Sequence, residues 1–353
     1  MDSAEGYRRL RMERRASRPR TSEGWIAAYV SFRRALGFNT GNTASTLRSL
    51  LAFMRKRGVA SFGKVDRRLA SAWLRSGSPQ ESTVGHRLKR AKGFFHYLVG
   101  LGALQKNVWE CLSPPRLKRF IPHIYSLVEI QLVLGHVRDK IVRKPKWYRT
   151  YGAHHMMFHT LYACGLRVSE VCRLNVGDVD FKRSLFIVRN TKFGKTRLVP
   201  FNPRTHDLLA GYVEEFRPRD DSLAAGAPLF LNHQDRRFVG GKLARQHTKA
   251  CAAAGIRRRR EVKGNTVYGG TNVHALRHTF AVHRLLKWYY EGADVNSKLP
   301  RLATYMGHSS YLHTEHYLTI LPMFIDIAGK LFSDRFEPPL IEIEKGLQCQ
   351  EDS

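Results

Sequence analysis

The chain has 353 residues and a formal net charge of +31, from 60 Lys and Arg against 29 Asp and Glu. That length exceeds one ordinary core and sets two domains as the starting expectation, while 43% apolar and 11% aromatic residues exclude a wholly disordered chain. The charge excess goes far beyond what solubility needs and points to a polyanionic partner, nucleic acid ahead of a membrane surface.

Residues 1–20 carry seven arginines and few apolar residues. They predict a flexible basic arm able to touch a phosphate backbone, with no apolar stretch of signal-peptide type. From 21 to 112 the pattern is helical. Trp25, Ile26, Tyr29, Phe32 and Leu36 recur near a 3.6-residue period before Gly37; Leu47, Leu50, Leu51 and Met54 form a second stripe closed by Gly58. Asp66 is placed to cap a short third helix through Leu69, Trp73 and Leu74. Ser82 opens a fourth, with Val84, Leu88, Ala91, Phe95 and Leu98 inward and His86, Arg87, Lys89, Arg90 and Lys92 outward. A four-helix domain with one basic face is the expectation, and Arg87, Lys89, Arg90 and Lys92 are candidate DNA contacts. Residues 113–122, with Pro114, Pro115, Lys118, Arg119 and Pro122, read as a stiff basic connector belonging to neither core. Lys118 and Arg119 join the candidate DNA contacts.

A second domain is expected over 123–333. One helix runs through Leu127, Ile130, Leu132, Val133 and Val137; another runs from about Tyr151 to Cys164 and ends at Gly165. Val168, Val171 and Leu174 mark a short helix carrying Arg167 and Glu170. Between 176 and 201 the period changes: Val176, Val179, Phe181, Leu185 and Ile187, then Thr196 to Phe201, predict a small antiparallel sheet with Lys192-Phe193-Gly194-Lys195 at its hairpin turn. Helices return at Thr205–Glu215 and Gly241–Ala254. The run Arg257 to Gly270 reads as a basic surface loop. A helix starting at His274 follows, then segments around Leu302–Met306, Tyr317 and 322–332. Residues 334–353 form a tail in which Leu340, Ile341 and Ile343 alternate with Glu342 and Glu344.

No run of about 18 apolar residues is present, so no membrane span is expected. The cysteines at 111, 164, 172, 251 and 349 include no CxxC, which suggests a reducing compartment and neither a disulfide framework nor a cysteine zinc site. His155 and His159 stand at i,i+4 on a helix, but no third ligand is evident, and no GxxxxGK[ST] implies a nucleotide.

The chemistry concentrates in five spaced pieces: Gly165-Leu166-Arg167-Val168-Ser169-Glu170, the hairpin with Lys192, His274-Ala275-Leu276-Arg277-His278, Met306-Gly307-His308, and Tyr317. Alone, an HxxRH reads equally well as a helix face with two solvated histidines. Together, Arg167, Lys192, His274, Arg277, His308 and Tyr317 supply the parts of a metal-free phosphoryl transfer. Arginine forks match the equatorial oxygens of a phosphodiester under attack. A lysine on a hairpin, or a nearby histidine, can protonate the leaving 5′-oxygen. A phenol is a nucleophile once surrounding cations favour its ionisation.

These motifs, in this order, resemble the tyrosine recombinases (phage integrase and Xer-like family), and the resemblance covers nearly the whole chain. It implies a mainly α fold with a small antiparallel sheet: a helical core-binding domain joined to an α+β catalytic domain. By that likeness Arg167 and Arg277 are the two catalytic arginines and Glu170 is a supporting acid. Lys192 is the active lysine, with Lys195 an open alternative; His274 and His308 are the motif histidines and Tyr317 is the nucleophile. The implied activity is cutting and rejoining DNA through a 3′-phosphotyrosine, without metal, ATP or other cofactor. It would act on paired sites through a four-way junction, as a homotetramer exchanging C-terminal elements. An accessory directionality protein is a candidate further partner, and a bacterial cytoplasmic, nucleoid-associated setting is implied. The charge and the basic 257–272 insertion lean towards a mobile-element enzyme. With about 20 residues ahead of the first helix, no separate arm-binding domain is expected. A topoisomerase IB-like relaxing enzyme and a non-catalytic DNA-binding accessory protein are the competing readings; the two-domain layout disfavours the first and the presence of Tyr317 the second.

Overall fold

The computed structural model describes residues 19–189, 196–217, 224–308 and 312–318. Lys192, Lys195, most of the basic arm, the 322–332 segment and the acidic-apolar tail lie outside these residues. The chain divides into two compact units, Met1–Lys118 and Arg119–Ser353. Among the described residues the fold is mainly helical with two three-stranded sheets.

In the first unit, α1 (Ser22–Ala35), α2 (Gly41–Arg55), α3 (Arg67–Leu74) and α4 (Glu81–Gly100) enclose one apolar core. Local sequence sets their starts. The Thr21 hydroxyl accepts from the Gly24 amide at 3.0 Å, and the Asp66 carboxylate accepts from the Leu69 amide at 2.7 Å. Trp73 and Trp109 meet edge to face at the centre, ring centroids 5.5 Å apart, and both are fully buried. Phe32, placed inward by periodicity, is instead largely exposed.

The second unit opens with β1 (Arg119–Ile121), followed by α5 (Leu127–Arg143), α6 (Tyr148–Ala163) and the single turn α7 (Val168–Val171). Ser126 and Glu129 form a reciprocal capping box at the start of α5. β2 (Val179–Asp180), β3 (Leu185–Val188) and β4 (Arg197–Pro200) make the expected antiparallel sheet, with Phe186 opposite both Val179 and Val199. α8 (Pro203–Phe216), α9 (Gly240–Ala253), β5 (Glu261–Lys263), β6 (Thr266–Tyr268), α10 (Ala275–Tyr290), α11 (Val295–Met306) and α12 (Leu312–Leu318) complete it.

Three expectations are corrected. The 257–270 run is not a loop throughout: Glu261–Lys263 and Thr266–Tyr268 pair antiparallel across the turn at Gly264. Residues 119–121 are not a free connector, because they pair in parallel with β6 and Ile121 is buried among Phe280, Val282 and Leu285. Both changes share a cause: a three-residue strand has too few side chains to show a period; for β1 the pairing partner also lies over a hundred residues away, from Arg119 to Thr266. Leu132, expected inside α5, is 47% exposed, while Ile130, Val133 and Val137 fill the core. Among the described residues, no helix is long and apolar enough to cross a membrane.

Candidate active site

Four elements deliver the side chains, and a single turn ties them together. α6 ends at Gly165, whose φ of +58° suits glycine. A Cβ there would stand 2.3 Å from the Phe280 ring, so glycine is also what lets α10 pack against this turn. The chain then enters α7. The Arg167 amide donates to Glu170 Oε2 at 2.8 Å, the reach-back of an acid three residues into a helix.

Glu170 is buried, 3% exposed, and holds two guanidinium groups. Arg167 Nη1 donates to its Oε1 at 2.7 Å, and Arg197 donates to both oxygens at 3.0 and 2.8 Å. Burial alone would raise this carboxyl, but Arg197 and then Arg167 outweigh it and hold it at about 2. The carboxylate is therefore ionised and fixes both arginines.

The turn after α11 is the hub. Arg167 Nη2 donates to the Gly307 carbonyl at 2.8 Å, and Arg277 Nη2 to the adjoining Met306 carbonyl at 2.7 Å. Carbonyls at a helix C-terminus attract cations, so this end of α11 is a natural anchor for both forks. Arg277 Nη1 also donates to the Gly165 carbonyl. At 2% exposed, its pKa is lowered to about 10 by burial and by Arg167, and it stays charged at neutral pH. Arg197 Nε takes the Tyr305 carbonyl at 2.9 Å, so three arginines read three successive carbonyls of this turn.

Gly307 closes α11 with φ +68°; the His308 amide donates back to Ala303 O at 2.9 Å. A Cβ on Gly307 would lie 2.8 Å from Arg197 Nη1. Gly307→Ala should therefore cost about 1–2 kcal/mol from the left-handed backbone alone and also push Arg197 off Glu170. The expected reading is a thermal midpoint lower by several degrees; an unchanged midpoint would refute the crowding at this turn.

His308 follows, with Nδ1 2.6 Å from the Thr314 hydroxyl on α12, which seats that helix. Three residues on, Tyr317 is 3% exposed and its hydroxyl lies 2.8 Å from His278 Nδ1. Burial raises the phenol to about 12, against the pull of Arg277 and Arg167. His278 is driven down to about 3 by burial, His274 and Arg277, followed by His316 and His308, so it is neutral. His274 stands at the N-cap of α10, exposed, with its ring edge-on to His278 at 4.9 Å. Surrounding protein and the charges of Arg277 and Arg167 lower its pKa as well.

The sequence matches the phage integrase family model over residues 138–322. It is also 30% identical over 313 residues to the putative integrase/recombinase y4rB of Sinorhizobium fredii, covering 88% of this chain and 97% of that protein. The chain belongs to the phage integrase family. Another relative in this family of site-specific tyrosine recombinases is the tyrosine recombinase XerC of Thermodesulfovibrio yellowstonii, 28% identical over 256 residues, 71% of this chain and 75% of that one. Among solved structures, the Tn1549 transposon integrase in complex with transposon right end DNA superposes with a TM-score of 0.59 at 18% identity, over 84% of this chain and 94% of that chain. A lambda integrase dimer bound to a COC′ core site gives 0.56 at 14% identity, over 83% and 75%. These structural likenesses establish the integrase fold.

In this integrase-family chain, the structure brings Arg167, Glu170, His274, Arg277, His308 and Tyr317 into one neighbourhood of the second unit. Lys192 and Lys195 fall outside the described residues. Two further side chains join this neighbourhood without a role expected from the sequence: Arg197 and His278. Arg197 had a signal, since alternation along β4 puts it on the same face as buried Val199 while Leu198 points out. His278 had none beyond its position beside Arg277.

The candidate DNA contacts of the first unit are differently occupied. Arg87 Nη1 donates to the carbonyls of Trp73, Leu74 and Ser76 at 3.1, 3.1 and 2.9 Å, closing the C-terminus of α3. Arg90 donates to the Thr46 hydroxyl at 3.2 Å, and Lys92 lies 3.7 Å from Glu110. Lys89, Lys118 and Arg119 are exposed. His159 contacts Thr205 at 3.0 Å, and no three-residue metal-ligand group occurs among the described residues.

Proposed function

We propose that this recombinase cuts and rejoins double-stranded DNA at paired sites of a mobile element, through a 3′-phosphotyrosine at Tyr317 and without metal or ATP. The observation that carries the reading is the shared anchor. Arg167 and Arg277 are tied to the adjoining carbonyls of Gly307 and Met306, and the next residue, His308, is bonded to the helix that carries Tyr317. Each fork keeps donors beyond these tethers, and a phosphodiester bridging them would replace the countercharge that metal ions provide elsewhere. The Tyr317 oxygen attacks phosphorus, the bond to the 5′-oxygen breaks, and that oxygen takes a proton from the hairpin lysine, Lys192 or Lys195. The ester energy stays in the phosphotyrosine for rejoining.

The first unit, as a core-binding domain with Lys89 outward, and the exposed Lys118 and Arg119 supply backbone contacts in this reading, with Arg87, Arg90 and Lys92 contributing what their internal bonds leave available. The lambda and Tn1549 integrase structures hold DNA, and one is a lambda integrase tetramer bound to a Holliday junction. By that likeness this chain assembles as a tetramer on two sites. The mobile-element setting rests on the net charge of +31 and on the relatives named as integrases.

Incubation with nicked candidate sites in EDTA tests the chemistry: a covalent protein–DNA adduct is expected with no divalent ion present. Site binding should fall about 10³–10⁵-fold between roughly 50 and 200 mM salt, as neutralised phosphates recover counterions. Cleavage lost on chelation and restored by Mg²⁺ would sink the metal-free mechanism.

A further inference from the structure

We infer that Arg197 is a positioning residue of the proposed cleavage: its fork takes up the Glu170 carboxylate and so leaves Arg167 a net cation with donors free for the phosphodiester. The inference rests on the reaction proposed above and assigns a part to a side chain which that scheme does not use. Arg197 itself points inward. Its side chain is 10% exposed, against 27% for Arg167. All three of its nitrogens are engaged there: Nε donates to the Tyr305 carbonyl at 2.9 Å, Nη1 to Glu170 Oε1 at 3.0 Å and Nη2 to Glu170 Oε2 at 2.8 Å.

The carboxylate is filled in a particular way. Its two oxygens offer about four acceptor sites. Oε1 takes Nη1 of Arg167 and Nη1 of Arg197; Oε2 takes the Arg167 amide and Nη2 of Arg197. Arg197 therefore binds with its fork, while Arg167 gives Glu170 one side-chain bond and sends Nη2 to the Gly307 carbonyl. Against burial, Arg197 also does more than Arg167 to hold the carboxyl low. Without Arg197, two acceptor sites fall empty on a carboxylate that is only 2% exposed. Arg167 is then the guanidinium left in contact among the described residues, and its fork would close onto both oxygens, drawing Nη2 off Gly307. The charge changes too. One carboxylate shared between two guanidinium groups leaves one positive charge over; a one-to-one pair leaves none. A phosphate anion arriving a few ångströms away in a part-buried site meets that difference directly.

A purely structural pin would show the same bonds. Arg197 begins β4 opposite Val188 and fastens that strand to the α7 turn and to the end of α11. Removing it costs stability in either role, so a thermal midpoint does not separate them. The two differ in what Glu170 does afterwards. Beside a lost pin, changing the carboxylate as well only loosens the turn further. Beside a lost counter-cation, the carboxylate is itself the damage, because it neutralises Arg167, and removing its charge restores the site.

The test follows covalent adduct formation by the full chain, at saturating protein, on nicked single-site DNA. Arg197→Ala should bind the site normally and cleave about 10²–10³-fold more slowly, the loss seen when one preorganised donor at a developing charge is silenced. Adding Glu170→Gln keeps one oxygen to aim Arg167 Nη1 and drops the charge; it should raise the Arg197→Ala rate by about tenfold or more. In an otherwise unsubstituted chain the same Glu170→Gln should slow cleavage, so its effect changes sign with Arg197. A double variant no faster than Arg197→Ala would overturn the inference and leave Arg197 a pin. Near-normal cleavage by Arg197→Ala would overturn it as well. Should Arg197→Ala not fold, Arg197→Gln, which keeps the stem and a donor without the charge, provides the second background, read by the same comparison with and without Glu170→Gln. Failure of the underlying reading looks different: the unsubstituted protein would form no adduct at Tyr317 at all.

Discussion

Tyr317→Phe is expected to abolish the covalent protein–DNA adduct and recombination while leaving site binding nearly unchanged. The substitution removes one oxygen and keeps the ring, which is packed in an apolar cluster with Phe280, Leu299 and Met306. The fold should therefore survive. Among the described residues the bond lost is that to His278, a net contribution of about 1 kcal/mol. Binding comes from phosphate contacts spread over the chain and does not pass through the phenol. Chemistry does: without the oxygen there is nothing to form the phosphotyrosine, so the loss is complete rather than graded. Electrophoresis under denaturing conditions reads the adduct and a gel shift reads binding. An adduct persisting in the variant would move the nucleophile elsewhere, with Tyr311, the other tyrosine that follows His308 in the sequence, the first residue to test.

Glu170→Ala is expected to destabilise the second unit by about 3–5 kcal/mol, the cost of leaving buried charges without their partner. Arg167 and Arg197 both spend donors on this carboxylate, and burial denies them water in exchange. The same change should lower cleavage sharply, since Arg167 is no longer aimed. A pH arm separates charge from shape. The folded carboxyl sits at about 2, below its usual 4.5, so the unfolded chain binds the proton more readily. Its stabilisation is full above pH 4.5 and is lost as pH falls towards 2. The amount is on the order of 3 kcal/mol, from about 1.4 kcal/mol per pKa unit. Denaturant midpoints measured between neutrality and acid should fall for the unsubstituted protein and lose this component in Glu170→Gln. Equal midpoints for Glu170→Ala and the unsubstituted protein at pH 7 would show that the carboxylate is not what holds the two arginines.

Several features were legible in the residues alone because their cause is local. Asp66 as a cap, Gly165 as a helix terminus and Glu170 beside Arg167 each depend on a few neighbouring residues. The motif chemistry was legible too, because guanidinium forks, imidazoles and a phenol suit one kind of reaction whatever scaffold carries them. The residues alone place His278 on the right helix but give it no partner. Periodicity places a residue on a face; it does not say what lies opposite. His278 and Tyr317 are 39 positions apart, and only the packing of α12 against α10 makes them partners.

The sequence by itself determined the helical build of both units, the order of the motifs and the type of chemistry they can perform. These follow from spacing, capping and side-chain functional groups within a turn or two. Only the tertiary structure decided which groups share a hydrogen bond. Arg167 reaches Gly307 across 140 residues, Arg277 reaches Gly165 across 112, and Arg197 meets Glu170 across 27. The three-stranded sheet of β1, β6 and β5 was decided the same way, its outer strand arriving from what had read as a connector. Such contacts form because burying an unpaired guanidinium, carboxylate or strand edge is costly, and the partner that relieves the cost is whichever group packing brings within reach.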